Sequence, residues 1–145
     1  MKERKYYHYM FVTYKKRYIF ESAVRKYLRE KFYDVAKSKK IDIISLAVLG
    51  DHVHVLIEQK YNDSPAYIMK CMKGYTSYKL FREYPNMDRA VYRKLWARSY
   101  CCREVSASDL KIIQDYIKNQ INVPGVDKRF IDENKMEPRR SASGS

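Results

Sequence analysis

Two short apolar segments joined by a turn constrain the fold of this chain more than any other feature. Residues Ile41–Leu49 and Val53–Ile57 are rich in β-branched and aliphatic side chains, and Gly50 and Asp51 lie between them. Glycine and aspartate are common turn residues between paired strands. The pattern therefore predicts a β-hairpin.

Amphipathic helices are predicted on both sides of this hairpin. Apolar residues recur at three- and four-residue steps over Glu21–Lys37. A second helix is expected from Pro65 to about Phe81, because Ser64 is a good N-cap and proline is favoured at the first helical position. Its predicted buried stripe is Met69, Met72, Thr76 and Leu80.

Three outer segments complete the pattern, two with the composition of strands and one with that of a helix. The two predicted strands are Tyr6–Tyr14 and Tyr100–Val105, and the predicted helix is Asp109–Ile121. Ser106 or Ser108 is expected to cap the last helix and Pro124-Gly125 to end it, whereas Asp88–Trp96 fits either a short helix or a loop. The order β-α-β-β-α-β predicts an α+β, ferredoxin-like (RRM-like) antiparallel sheet with helices on one face and an added C-terminal helix.

The charge of the chain points to a polyanionic partner. Thirty Lys and Arg residues against 17 Asp and Glu give a net charge of +13, which favours nucleic acid, although a merely soluble basic protein has the same balance. No apolar run reaches the roughly 20 residues that span a bilayer. We therefore expect a cytoplasmic protein without a membrane partner.

The length predicts one domain over residues 1–126, followed by a polar tail over residues 127–145. We expect the serine-rich end of this tail to be disordered. The three cysteines have no C-x-x-C spacing, so neither a disulfide framework nor a zinc site is indicated.

His52 and His54 are the first candidates for chemistry. Side chains alternate across a strand, so these two imidazoles should share one face of the sheet, where they could hold a divalent ion. The alternative is a pair of partly exposed strand histidines with no function.

Tyr116 and Gln120 are the second pair of candidates. They are four residues apart on the predicted last helix and could both reach one site. They lie beside a predicted buried stripe formed by Leu110, Ile113, Ile117 and Ile121. The alternative is packing, because the chain has 15 tyrosines and a helical tyrosine is usually a packing residue.

The combination His52-Val53-His54 on a strand and Tyr116-Ile117-x-x-Gln120 on a C-terminal helix resembles the HUH endonuclease superfamily. More narrowly, it is similar to the small single-tyrosine transposases of bacterial and archaeal insertion sequences, including REP-associated relatives. The resemblance extends from about Tyr6 to Gln120 and includes Leu95–Tyr100. Asp51 stands where many relatives have asparagine.

The resemblance implies a role for each matching residue. Tyr116 would be the nucleophile, and His52, His54 and Gln120 would bind Mg²⁺ or Mn²⁺. The implied reaction cuts and rejoins single-stranded DNA at hairpin-bearing ends through a 5′-phosphotyrosine bond, without ATP. The resemblance also implies a homodimer, with tyrosine and histidines from the same or from different subunits.

Basic residues near this face are the candidates for DNA contacts. They are Lys15, Lys16, Arg17, Lys70, Lys73, Lys79 and Arg98. Three other functions stay open at this point: a domesticated relative that processes chromosomal hairpins, a non-catalytic single-stranded nucleic-acid-binding module, and a hydrolase that uses activated water.

Overall fold

The computed structural model describes residues 4–18, 20–59, 63–90 and 94–120. Its strands are β1 (Lys5–Val12), β2 (Asp42–Val48), β3 (His52–Gln59) and β4 (Cys101–Val105). Its helices are α1 (Ser22–Ser38), α2 (Pro65–Glu83), α3 (Pro85–Ala90) and α4 (Leu110–Gln120), with short 3-10 turns at Tyr14–Lys16 and Ala107–Asp109.

The four strands form one antiparallel sheet in the order β2-β3-β1-β4. Each of the two outer strands is therefore separated by one strand from the strand that precedes it through a helix. This order agrees with the predicted split βαβ arrangement. The predicted α+β fold class is confirmed.

One face of the sheet packs against α1 and α2 and contains the larger core. The buried residues of α1 are Val24, Leu28, Phe32, Val35 and Ala36, which match the predicted spacing. The stripe predicted for α2 is also buried, with Ile68 added to it. From β3, the side chains of Val53, Val55 and Ile57 join the same core.

Helix α4 covers the opposite face of the sheet. Ile117 is fully buried there against Ala47, Leu56 and Val105. Leu110 and Ile113 pack around this cluster as predicted, whereas Ile121 lies outside the described residues. The sheet is thus enclosed by two helices on one side and one on the other.

The ends of some elements agree with the predictions, and others differ. Ser64 does cap α2, because its hydroxyl accepts a hydrogen bond from the Tyr67 N–H at 3.1 Å. Ser106 precedes the last 3-10 turn, but its hydroxyl contacts that of Ser108 at 3.1 Å and no side-chain cap forms. Pro85 begins α3, which ends at Ala90, so the short helix of this region begins three residues before Asp88 and overlaps only the start of the segment Asp88–Trp96.

Other predicted features lie outside the described residues, namely Pro124-Gly125 and the tail over residues 127–145. Within the described ranges, none of the helices has the length and apolar character needed to span a membrane.

Candidate functional site

The two histidines of β3 lie on the face of the sheet that α4 covers. His52 and His54 are both 0% exposed, and their ring centroids are 4.9 Å apart with an interplanar angle of 79°. The prediction that they share a face is confirmed. The alternative of partly exposed strand histidines is wrong, because the helix over this face removes both rings from solvent.

The ring of His52 is held by the residue before it. Its Nδ1 lies 2.9 Å from Oδ1 of Asp51, and both side chains are buried. A carboxylate only accepts hydrogen bonds, so Nδ1 carries the hydrogen, and in the neutral form of the ring Nε2 keeps its lone pair. That Nε2 is buried and has no hydrogen-bond partner among the described residues.

The ring of His54 is held by the third histidine of the chain. Its Nδ1 lies 3.1 Å from Nε2 of His8, and the two rings stack with centroids 5.3 Å apart. Burial, and secondarily Arg103, lowers the pKa of His8 to about 4. Burial also lowers the pKa of His54 well below its usual range, and the neighbouring rings of His8 and His52 add to this. Both rings are therefore neutral near pH 7, which is the form that binds metals.

Tyr116 projects from α4 against the same rings. Its ring meets that of His54 edge-on, with centroids 5.8 Å apart and planes at 87°. It also lies edge-on to His8 at 6.3 Å. The buried Ile117 anchors the helix at this level. The phenol and the imidazoles thus come together within a single chain.

Gln120 follows one turn later and points an oxygen into the buried region. Its Nε2 donates a long hydrogen bond of 3.4 Å to the carbonyl of Tyr116. Its Oε1 is buried and has no hydrogen-bond partner among the described residues. A buried carbonyl oxygen without a donor is costly, and a cation is one way to satisfy it.

The donors present fit a divalent metal ion. The Nε2 of His52 and the Oε1 of Gln120 are buried acceptors that the described residues leave unsatisfied. The neutral ring of His54 offers a second imidazole nitrogen. Imidazole nitrogen and amide oxygen are ordinary ligands for first-row divalent ions. In the described part of the chain no cluster of three or more His, Cys, Asp or Glu residues suits a metal. The fit therefore depends on the amide of Gln120 as the third ligand.

Some of the predicted DNA-contact residues are exposed, and others make contacts within the chain. Lys70 and Arg98 are exposed, as are Lys15 and Lys16 in the turn after β1. Lys73 is different: its ammonium donates to the carbonyls of Ala97, Arg98 and Ser99 at 2.9, 3.3 and 3.1 Å. Burial lowers the pKa of Lys73 to about 8. Its contacts hold the segment before β4 in place.

A cavity of about 330 Å³ opens beside this segment. Residues that line it include Lys73, Ser77, Lys94, Trp96 and Arg98. Lys79, also predicted, is half-buried and lies 5.7 Å above the Tyr75 ring.

His8 and Asp51 are site residues that the sequence did not single out. His8 was the one histidine outside the H-x-H pair, and Asp51 was noted as a turn residue and as the position where many relatives have asparagine. His8 reaches His54 because β1 pairs with β3 in the register Met10↔His54, which sets His8 diagonally across from it. The alternation of β1 could have indicated its face but not this partner.

The chain is similar to proteins of known description. Residues 2–120 match the family described as "Transposase IS200 like". The ISDra2 transposase TnpA of Deinococcus radiodurans is 30% identical over 94 residues, which cover 64% of this chain and 67% of that protein. The transposase of the insertion sequence IS200 from Salmonella typhimurium is 28% identical over 116 residues, which cover 79% of this chain and 76% of that protein.

Two solved structures are similar in fold. The crystal structure of a transposase from Deinococcus radiodurans R1 has a TM-score of 0.69 and 26% sequence identity, over 83% of this chain and 93% of that chain. A REP-associated tyrosine transposase bound to a REP hairpin has a TM-score of 0.62 and 15% identity, over 99% of this chain and 88% of that chain. At that identity the second likeness concerns the fold alone.

Proposed function

This chain belongs to the IS200-like transposase family, and on that premise we propose that it cuts and rejoins single-stranded DNA through a covalent bond between Tyr116 and a 5′ phosphate. The observation that carries the proposal is the edge-on contact of Tyr116 with the buried ring of His54, 5.8 Å between centroids. This contact sets a phenol beside the neutral imidazole of His54, on the helix whose next turn carries the buried Oε1 of Gln120.

The nucleophilic step follows from the chemistry of a phenol. The Tyr116 hydroxyl oxygen attacks the phosphorus, the bond from phosphorus to the 3′ oxygen breaks, and the phenolic proton ends on the departing 3′-OH. A 3′-OH later attacks the phosphotyrosine and restores the phenol. The energy of the phosphodiester is kept in the covalent bond, so rejoining needs no ATP.

His52, His54 and Gln120 would hold Mg²⁺ or Mn²⁺ beside the reacting phosphate. When bound, the cation supplies positive charge that offsets the negative phosphate oxygens. The chain's own part is to present two imidazoles and one carbonyl oxygen in a buried place, away from competing water; burial also lowers the pKa of His54 well below its usual range.

The proposed substrate is a single strand folded into a hairpin. The net charge of +13 favours a polyanion, and Lys70, Arg98 and the Lys15–Arg17 turn supply exposed or half-exposed cations. A REP-associated tyrosine transposase of the same fold is described as bound to a REP hairpin. Exchange of two DNA ends needs two nucleophiles, so we propose that the active form is a homodimer.

The test is an adduct assay on denaturing gels. The whole chain is incubated with labelled hairpin-bearing single strands, with Mn²⁺ or with EDTA. We expect a denaturation-resistant protein–DNA band that requires Mn²⁺, that Tyr116→Phe abolishes, and that His52→Ala and His54→Ala both remove.

Tyr100→Phe is the matched control, because Tyr100 is a half-buried tyrosine that packs on the other face of the sheet. It should form the adduct normally. An adduct of undiminished yield from Tyr116→Phe contradicts the nucleophile assignment. Binding of the hairpin without any adduct, under all metal conditions, would favour the non-catalytic module instead.

A further inference from the structure

We propose that Asp51 and His8 are positioning residues, which hold Nδ1 of His52 and of His54 so that both Nε2 lone pairs are available to the same ligand. This inference rests on the proposed function in one respect only, the identity of the two imidazoles as ligands. Each of the two side chains acts through the imidazole beside it and not through a contact with substrate.

The contact of Asp51 determines the state of one ring. The carboxylate lies 2.9 Å from His52 Nδ1 and both side chains are buried, so water does not compete for either partner. An ionised carboxylate cannot donate, and the hydrogen is therefore on Nδ1. Carboxylate-backed imidazoles are a general device for fixing the ring orientation and raising the basicity of a metal ligand.

The turn does not depend on that carboxylate. The backbone carbonyl of Asp51 separately accepts a hydrogen bond from the Thr13 N–H at 2.9 Å. The carbonyl of Gly50 accepts another from the Phe20 N–H at 3.1 Å. A change at the Asp51 side chain can therefore alter His52 while leaving the path of the backbone in place.

The contact of His8 can exist in two forms. His8 Nε2 and His54 Nδ1 are 3.1 Å apart, and between two neutral rings a single hydrogen is shared. If His54 donates, its Nε2 keeps a lone pair; if His8 donates, His54 Nε2 carries a hydrogen and cannot bind a cation. The proposal requires the first form.

Two substitutions at Asp51 separate the effect of its negative charge from the effect of its hydrogen bond. Asp51→Asn keeps an oxygen that accepts from His52 Nδ1 but removes the negative charge. Asp51→Leu removes both. A purely structural role for Asp51 would not separate these two variants, whereas a positioning role makes asparagine a partial rescue of the tautomer.

The experiment is long-range ¹H–¹⁵N correlation NMR of the histidine rings in the whole chain without metal at neutral pH. We expect His52 and His54 both to be Nδ1–H tautomers in the wild type and His52 to stay so in Asp51→Asn. Asp51→Leu should give a tautomer mixture at His52, and His8→Phe a mixture at His54. Binding of Mn²⁺, measured by the loss of its free EPR signal, should weaken about 10- to 100-fold in Asp51→Leu and His8→Phe, and less in Asp51→Asn.

Tyr9→Phe is the matched control. Tyr9 is next to His8 in sequence, but it is buried on the other face of the sheet, and the change removes its hydrogen bond to Gln59. It should alter neither tautomer nor Mn²⁺ affinity. An Nε2–H tautomer at His52 or His54 in the wild type overturns the proposal, even if a variant fails to fold. Unchanged tautomers and affinities in Asp51→Leu and His8→Phe also overturn it. The adduct assay with Tyr116→Phe tests the nuclease proposal separately, so each can fail alone.

Discussion

Replacing Gln120 by leucine should stabilise the metal-free protein while weakening its response to Mn²⁺. The buried Oε1 of Gln120 has no hydrogen-bond partner among the described residues, and such an acceptor costs roughly 1–3 kcal/mol. The hydrogen bond that leucine would forfeit is long, 3.4 Å to the Tyr116 carbonyl, and is worth less than the usual value of about 1 kcal/mol. The net gain in the free energy of unfolding is therefore about 1–2 kcal/mol, or roughly 3–8 °C in Tm for a chain of this size.

The metal offsets this gain in stability. A wild-type protein at 100 times its Kd for Mn²⁺ gains about 2.7 kcal/mol of stability, and a tenfold loss of affinity reduces that gain to about 1.4 kcal/mol. Thermal unfolding followed by circular dichroism, in EDTA and in Mn²⁺, measures both effects on the same samples.

The neighbouring Asn119 supplies the control, since it is exposed and Asn119→Leu should change neither value by more than about 0.5 kcal/mol. The reasoning is refuted if Gln120→Leu is less stable than the wild type in EDTA. It is equally refuted if the variant gains as much from Mn²⁺ as the wild type does.

Two further predictions concern the frame around the site. Lys73→Met should speed hydrogen exchange in the segment 97–100, because three carbonyls lose their donor. Burial lowers the pKa of Lys73 from 10.5 to about 8, so between these pH values the unfolded chain binds more protons at this lysine than the folded chain does. The wild type should therefore gain stability relative to Lys73→Met as the pH rises from about 8 to 10.5. Urea unfolding at several pH values measures this difference, and a constant or falling difference would contradict the prediction. Gly50→Ala should lower Tm, because an added Cβ would collide with the ring of Tyr18. Tyr18→Ala in the same chain should restore it, since that ring is 63% exposed and supplies the three atoms nearest to the added Cβ; a double variant as unstable as Gly50→Ala would show that the backbone is at fault.

Much of the fold follows from local patterns. The helical spacing of Val24, Leu28 and Phe32 predicted the buried face of α1, and Ser64 with Pro65 predicted the start of α2. The face of the sheet that α4 covers could not be predicted in this way. It depends on the direction in which the chain leaves β4, and periodicity carries no information about that.

The candidate site was predictable only in part. Alternation along β3 placed His52 and His54 on one face, and helical spacing grouped Tyr116 with Gln120. The role of His8 depends on the pairing register of two strands more than 40 residues apart, a relation that the two segments do not encode separately. Lys73 could not be told from other lysines, because its three partners are backbone carbonyls of a distant loop.

Helix α4 is held on the sheet by a small apolar cluster. Ile117 packs on Ala47, Leu56 and Val105, and this cluster is separate from the larger core under α1 and α2. Segments held by few apolar contacts open at a fraction of the cost of global unfolding. Helix α4 can therefore open locally from the sheet at less cost than global unfolding, while the packing of α1 and α2 on the other face stays in place.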